Sequence, residues 1–220
     1  MKARLLILII PFTVFWTSCT QKIALTNSDQ PGISIQEKAT ADITAFQEKI
    51  NSEYSSKDKS PLDEEQKEKF IASGGHDFFP INLDYRVEAN LDTNVDVKNI
   101  KFETTTDRVA VYDLYGIASF RIGNKDYKVN IYQSQMRFRP KALSHLFLPF
   151  NDLTNGDTTY GGGRYVDVEP SDDSQTITID FNKSYSPYCA YNSKYSCPIP
   201  PIENRLDVEI KAGVQHLKEF

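Results

Sequence analysis

Residues 81–88 read INLDYRVE: Ile81, Leu83, Tyr85 and Val87 alternate with Asn82, Asp84, Arg86 and Glu88. Successive side chains of a strand point to opposite faces, so a period of two describes a half-buried β-strand. Short runs of the same kind follow at 100–104, 108–112, 117–122, 127–133, 164–168, 176–181 and 206–211. Turn-forming text separates several of them, including Gly123-Asn124 and the cluster Pro170-Ser171-Asp172-Asp173-Ser174. Many short strands punctuated in this way predict a mainly β fold, an antiparallel β-sandwich or barrel-like domain. Tyr and Phe number 12 and 13 against two Met, which suits strands better than a helix bundle.

Upstream of residue 78 the period lengthens. Ile43, Phe46, Ile50 and Tyr54 recur at spacings of three and four, which predicts a helix over 36–55 with one apolar stripe. A second, short helix is expected from Ser60, with Ser60 as its cap and Pro61 in its first turn. Asp63, Glu64 and Glu65 would complement its dipole, and it should end near Ser73-Gly74-Gly75. One or two N-terminal helices thus pack on the β-rich part, and 36–220 reads as a single domain. Residues 19–35 are polar, contain Pro31 and Gly32 and lack periodicity, as a flexible tether does.

The N-terminus carries an address. Lys2 and Arg4 precede an apolar run from Leu5 to Trp16 broken only by Thr13. A bilayer-spanning helix needs ~20 apolar residues, so this shorter run behind a basic start reads as a signal peptide over 1–18. Thr17 and Ser18 lead into Cys19. That stretch resembles a bacterial lipobox, although Trp16 stands where Leu is usual. The resemblance implies lipid attachment at Cys19, including palmitate, and a membrane partner reached through the acyl chains. Thr20, Gln21 and Lys22 supply neither an Asp at the second position nor an acidic cluster. The expected location is the cell envelope, on the periplasmic face of the outer membrane.

Removal of residues 1–18 leaves 23 basic residues against 30 acidic, a formal charge of −7. Nucleic acid demands basic patches, so it is not an expected partner. Beyond Cys19 two cysteines remain, Cys189 and Cys197. An even pair in an exported protein reads as a disulfide. Free thiols and metal ligation are the alternatives; the latter needs two further ligands for a tetrahedral ion, and no histidine lies near either cysteine in sequence.

The most distinctive text spans 147–213. Phe150, Asp152, Thr154, Gly156, Tyr160 and Gly161 to Tyr165 form one block. Asp180, Phe181, Asn182, Pro187, Cys189, Ala190 and Tyr191 form a second, and Cys197, Pro198, Pro200, Pro201, Glu203, Asn204 and Leu206 a third. These blocks closely resemble a bacterial family known only as domain of unknown function 1684. Weaker likeness reaches back to Ser60-Pro61-Leu62 and Phe79-Pro80-Ile81. Ser184 and Ser186 stand where that family usually has Ala and Asn. The resemblance implies kinship and transfers no activity.

Physical reading of the same residues gives candidates. Pairing Val166 with Ile179 and Val168 with Ile177 joins two apolar faces, placing Tyr165 beside Asp180 and Arg164 beside Phe181. Arg164 then points to the apolar side and needs a carboxylate, Glu203 or Asp152. It either closes one end of a barrel as a structural ion pair or binds an anion. Asp180 and Asn182 either hold the following loop or serve a site. Ligand-binding candidates are therefore Arg164, Tyr165, Asp180, Asn182, Glu203 and Asn204, with no catalytic residue nominated.

Gly161-Gly162-Gly163 leads into a strand rather than a helix, which suits a bulge or a close backbone approach and not a phosphate loop. Neither a G-x-S-x-G elbow nor an H-E-x-x-H helix is present. His76, His145 and His216 lack metal-ligand spacing and read as surface or loop residues, so neither a metal nor a cofactor is expected. The sequence favours a non-catalytic binding or interaction module whose partner is an unknown ligand or envelope protein. The alternative is an envelope hydrolase with a polar site around Arg164, Asp180 and Glu203.

Overall fold

The computed structural model describes residues 34–134, 146–170 and 175–215. The expected signal peptide, Cys19, nearly all of the expected tether, His145 and His216 lie outside them. Helix α1 spans Ile35–Ser55 and α2 spans Glu64–Ala72. The strands are β1 Arg86–Asp92, β2 Ile100–Phe102, β3 Ala110–Ile122, β4 Lys125–Ser134, β5 Leu146–Phe150, β6 Arg164–Pro170 and β7 Thr176–Asp180. Their order is β1-β7-β6-β5-β4-β3-β2, and β1 also pairs with β3. Six antiparallel strands therefore close a barrel, with β2 as an outer strand on β3 and the two helices at the N-terminal side. Closure removes the exposed edges that an open sheet must protect.

Closure depends on one glycine. β3 shifts register between Leu114 and Gly116, a bulge that bends the strand where β1 crosses onto it. A methyl group at Gly116 would lie 2.8 Å from the Asp92 carbonyl oxygen and 2.9 Å from Leu91. The same bulge unites the runs at 108–112 and 117–122, expected as separate strands, into one.

Inward residues of the strands fill the barrel: Ala89, Ala118, Ile131, Leu148, Val166, Ile177 and Ile179 are at most 1 % exposed. A second cluster lies outside the wall, where Phe102, Leu114, Tyr132, Phe147, Tyr165 and Cys197 pack together. A third joins the helices to the C-terminal loops through Ile50, Tyr54, Leu62, Phe70 and Tyr191. Three of the four α1 stripe residues, Ile43, Ile50 and Tyr54, are buried.

Several local expectations change. Ser34 rather than the tether begins α1: its hydroxyl accepts from the Glu37 amide, and the Glu37 carboxylate accepts in return from the Ser34 amide. Helix α2 is capped by Asp63, not Ser60, through the equivalent exchange with Gln66. Ser60 instead accepts from the Leu62 amide in the preceding turn. Residues 83–85 form a 3-10 turn before β1. The cause is that the Asn82 side chain accepts from the Asp84 amide, and Asn182 bonds both the N–H and the carbonyl of Asn82.

Among the described residues, strand β6 pairs with β7 through Glu169↔Thr178 and Pro170↔Ile177, two residues away from the expected register. Such a slip leaves every side chain on its face. The main partners are instead β5 for β6 and β1 for β7. Tyr165 consequently stands opposite Pro149, and Asp180 opposite Arg86. The expected strand over 206–211 is irregular, for a reason found at Arg164.

Candidate functional site

Arg164 opens β6, opposite Phe150 of β5, and is fully buried. Its Nη2 donates to the Ile210 carbonyl at 2.8 Å and reaches Asp152 Oδ1 at 3.3 Å. Its Nη1 donates to the Ala212 carbonyl and to Ser184 Oγ, and the guanidinium carbon lies 5.3 Å over the Phe150 ring. The other Asp152 oxygen accepts from Thr154 Oγ1 at 2.7 Å and from the Ile210 amide at 2.8 Å. Burial pulls the Arg164 pKa down, and Asp152 opposes that pull. The ion pair thus captures the backbone groups of 210–212 that a strand would have offered to a neighbour. Gly163, in the left-handed region at φ 90°, makes this possible: a methyl group there would meet Asn151, Phe150 and Pro200 at 2.7 Å.

The other polar candidates are spread around the barrel. Asp180 pairs with Arg86 at 2.7 Å and accepts from the Asn182 amide and side chain. Asn182 is taken up by Asn82, as above. Asn204 fills the gap where β4 and β5 separate after Tyr132↔Phe147. Its carboxamide accepts from the Asn130 amide at 2.7 Å and donates to the carbonyls of Asn130 and Pro149 at 2.9 and 2.8 Å. It therefore stands in for a missing peptide unit between two strands. Tyr165 faces the outer cluster and donates to the Pro198 carbonyl, while Glu203 is exposed. The six residues do not converge on one cleft: Arg164 points into the barrel and its neighbour Tyr165 out of it.

Chemistry gathers elsewhere, at the loops after β7. Cys189 sits in a 3-10 turn at Tyr188–Ala190 and is half-buried; Cys197 begins the proline-rich segment and is buried. The expected disulfide is corrected: both are free thiols. The Cys189 amide donates to Cys197 Sγ at 3.2 Å, and the two side chains are near enough to shift each other's acidity. The Cys197 thiol donates to the Cys189 sulfur, which lowers Cys189 to about 6, and Thr105 and Tyr160 hydroxyls assist. The same donation, with burial, pushes Cys197 up.

Thr105 holds the pair in place. Its amide donates to the Cys197 carbonyl at 3.0 Å, and its hydroxyl accepts from the Cys197 amide at 3.1 Å. Tyrosines ring the thiols: Tyr160 bonds Cys189, and Tyr188 meets Tyr195 edge-on at 5.3 Å. Tyr188 is 39 % exposed. Sequence reading singled out the two cysteines but not this ring. The loop 104–108 that clamps it is some ninety residues away in the chain, a separation that no local pattern reveals.

Behind Tyr188 lies a second polar cluster, around His76. Its ring stands edge-on to Tyr54 and Phe70, at 4.4 and 4.8 Å. Nδ1 lies 2.8 Å from Asn51 Oδ1 and Nε2 lies 3.0 Å from the Tyr191 hydroxyl. The carboxamide oxygen can only accept, so Nδ1 carries the proton and Tyr191 donates to Nε2. Burial lowers His76 to about 4, and nearby Asp77 opposes this. The loop position expected from the sequence is thus a packed, neutral imidazole.

The model of the family described as "Protein of unknown function (DUF1684)" matches residues 74–215. A solution structure of an uncharacterized protein of Haloarcula marismortui is similar, with 32% sequence identity and a TM-score of 0.64. The likeness covers 82% of this chain and 95% of that one. No curated protein matches.

Proposed function

From the premise that this chain belongs to the DUF1684 family, we propose that it is a lipid-anchored envelope protein working as a non-catalytic binding or interaction module. The anchor is Cys19, and the working face is the tyrosine-ringed surface around Cys189 and Cys197. One observation carries the reading: the polar motif residues Arg164, Asp152, Asp180, Asn182 and Asn204 are bonded to internal partners. Groups held in that way brace loops, whereas a hydrolase needs acid, base or nucleophile aimed at a substrate. What the braces hold outward is aromatic, and an exposed tyrosine contributes both apolar area and a polar tip to recognition.

Chemical crosslinking in intact cells, followed by mass analysis of the full chain, tests the proposal. The expected result is a discrete adduct that is lost in Tyr188→Ala and Tyr195→Ala while the fold is kept. Equal adducts in both variants would move the binding face elsewhere. Hydrolysis of an ester, amide or glycoside panel by the purified full chain, abolished in Glu203→Gln, would replace this reading with the envelope hydrolase.

A further inference from the structure

We propose that Cys189 and Cys197 form a site for one soft monovalent metal ion, Cu(I) or its analogue Ag(I), held between the two sulfurs. The inference goes beyond a macromolecular partner, and either reading can fail alone. The geometry is that of paired ligands fixed before the ion arrives. Cys197 is clamped by its two backbone bonds to Thr105, and Cys189 is carried by the 188–190 turn. The Cys189 amide already donates to Cys197 Sγ at 3.2 Å, the kind of outer hydrogen bond that steadies a metal-bound thiolate.

Charge and coordination number select the ion. Thiolates are soft ligands that favour Cu(I), while structural Zn(II) demands four donors. Among the described residues no group of three or more His, Cys, Asp or Glu is placed to hold a metal. A pair of sulfurs satisfies an ion content with two ligands. Two thiolates around one monovalent cation leave a net negative charge. Arg108 supplies the compensating one, donating to the Ser196 carbonyl at 2.7 Å and to Ser196 Oγ at 3.0 Å beside Cys197. On loading, two metal–sulfur bonds form, the protons of the two thiols pass to water, and no electron is transferred.

The test is anaerobic titration of the reduced full chain with Cu(I) held by a competing chromogenic chelator. The wild type should withdraw one equivalent, and Cys19→Ser should do the same. Cys189→Ser and Cys197→Ser should each lose more than about a hundredfold in affinity, beyond the loss of an outer hydrogen bond. Should either variant fail to fold, X-ray absorption of the loaded wild type decides: two sulfur neighbours support the site, and nitrogen or oxygen ligands overturn it. Copper left on the chelator by the wild type, or retained equally by a folded single-serine variant, also overturns it.

Discussion

Arg164 shows how a single buried charge organises its surroundings. Its guanidinium and the Asp152 carboxylate hold the backbone of 210–212 on one end of the barrel. Removing one partner leaves an uncompensated charge in a dry interior, so Asp152→Asn or Arg164→Met should cost about 3–5 kcal/mol in urea unfolding. Arg164→Met combined with Asp152→Leu should recover part of that loss. A single variant as stable as the wild type would contradict the assignment. His76 gives a pH-dependent counterpart. Its folded pKa, near 4, lies below the unfolded value of 6.5. The unfolded chain therefore binds the proton first, and the stability held above pH 6.5 declines as pH falls toward 4. The full loss is roughly 3 kcal/mol. Imidazole resonances followed by NMR should stay those of neutral His76 at pH 6; an ordinary titration near 6.5 would refute it.

Among the elements, strands with one wet face were legible in the sequence and strands without one were not. Alternation exposed β4 and β7, whereas β5, LFLPF, is buried at every position and so carries no period of two. The run at 206–211 has strand-like composition, yet its backbone bonds go to scattered partners: the Leu206 amide to the Asn151 carbonyl, the Val208 carbonyl to the Leu153 amide, and Ile210 to the side chains of Arg164 and Asp152. Register was readable only to the nearest face, because a two-residue slip costs nothing in the hydrophobic pattern. The roles of the polar candidates were not readable, because the bonds that occupy Asn182 and Asn204 join residues far apart in sequence. Two substitutions test this level. Asn204→Ala strands buried groups of Asn130 and Pro149 and should cost about 3 kcal/mol by chemical denaturation. Gly116→Val forces β1 away from β3 at the bulge, which amide exchange should report as lost protection in Asn90 and Ser119, paired across the two strands. Unchanged exchange there would show that closure does not depend on the bulge.

For the whole molecule, the proposed function combines a lipid address at Cys19 with a braced barrel that presents a thiol–tyrosine face. The address predicts that Cys19→Ala leaves the membrane fraction and loses metabolic lipid label; a variant that stayed membrane-bound would overturn it. The two thiols report on that face. Alkylation of the native full chain, mapped by mass spectrometry at Cys189 across pH, should proceed with a midpoint near 6, while Cys197 reacts only after unfolding. A midpoint at the ordinary thiol value of about 8.5, or no reaction at either cysteine before reduction, would contradict it.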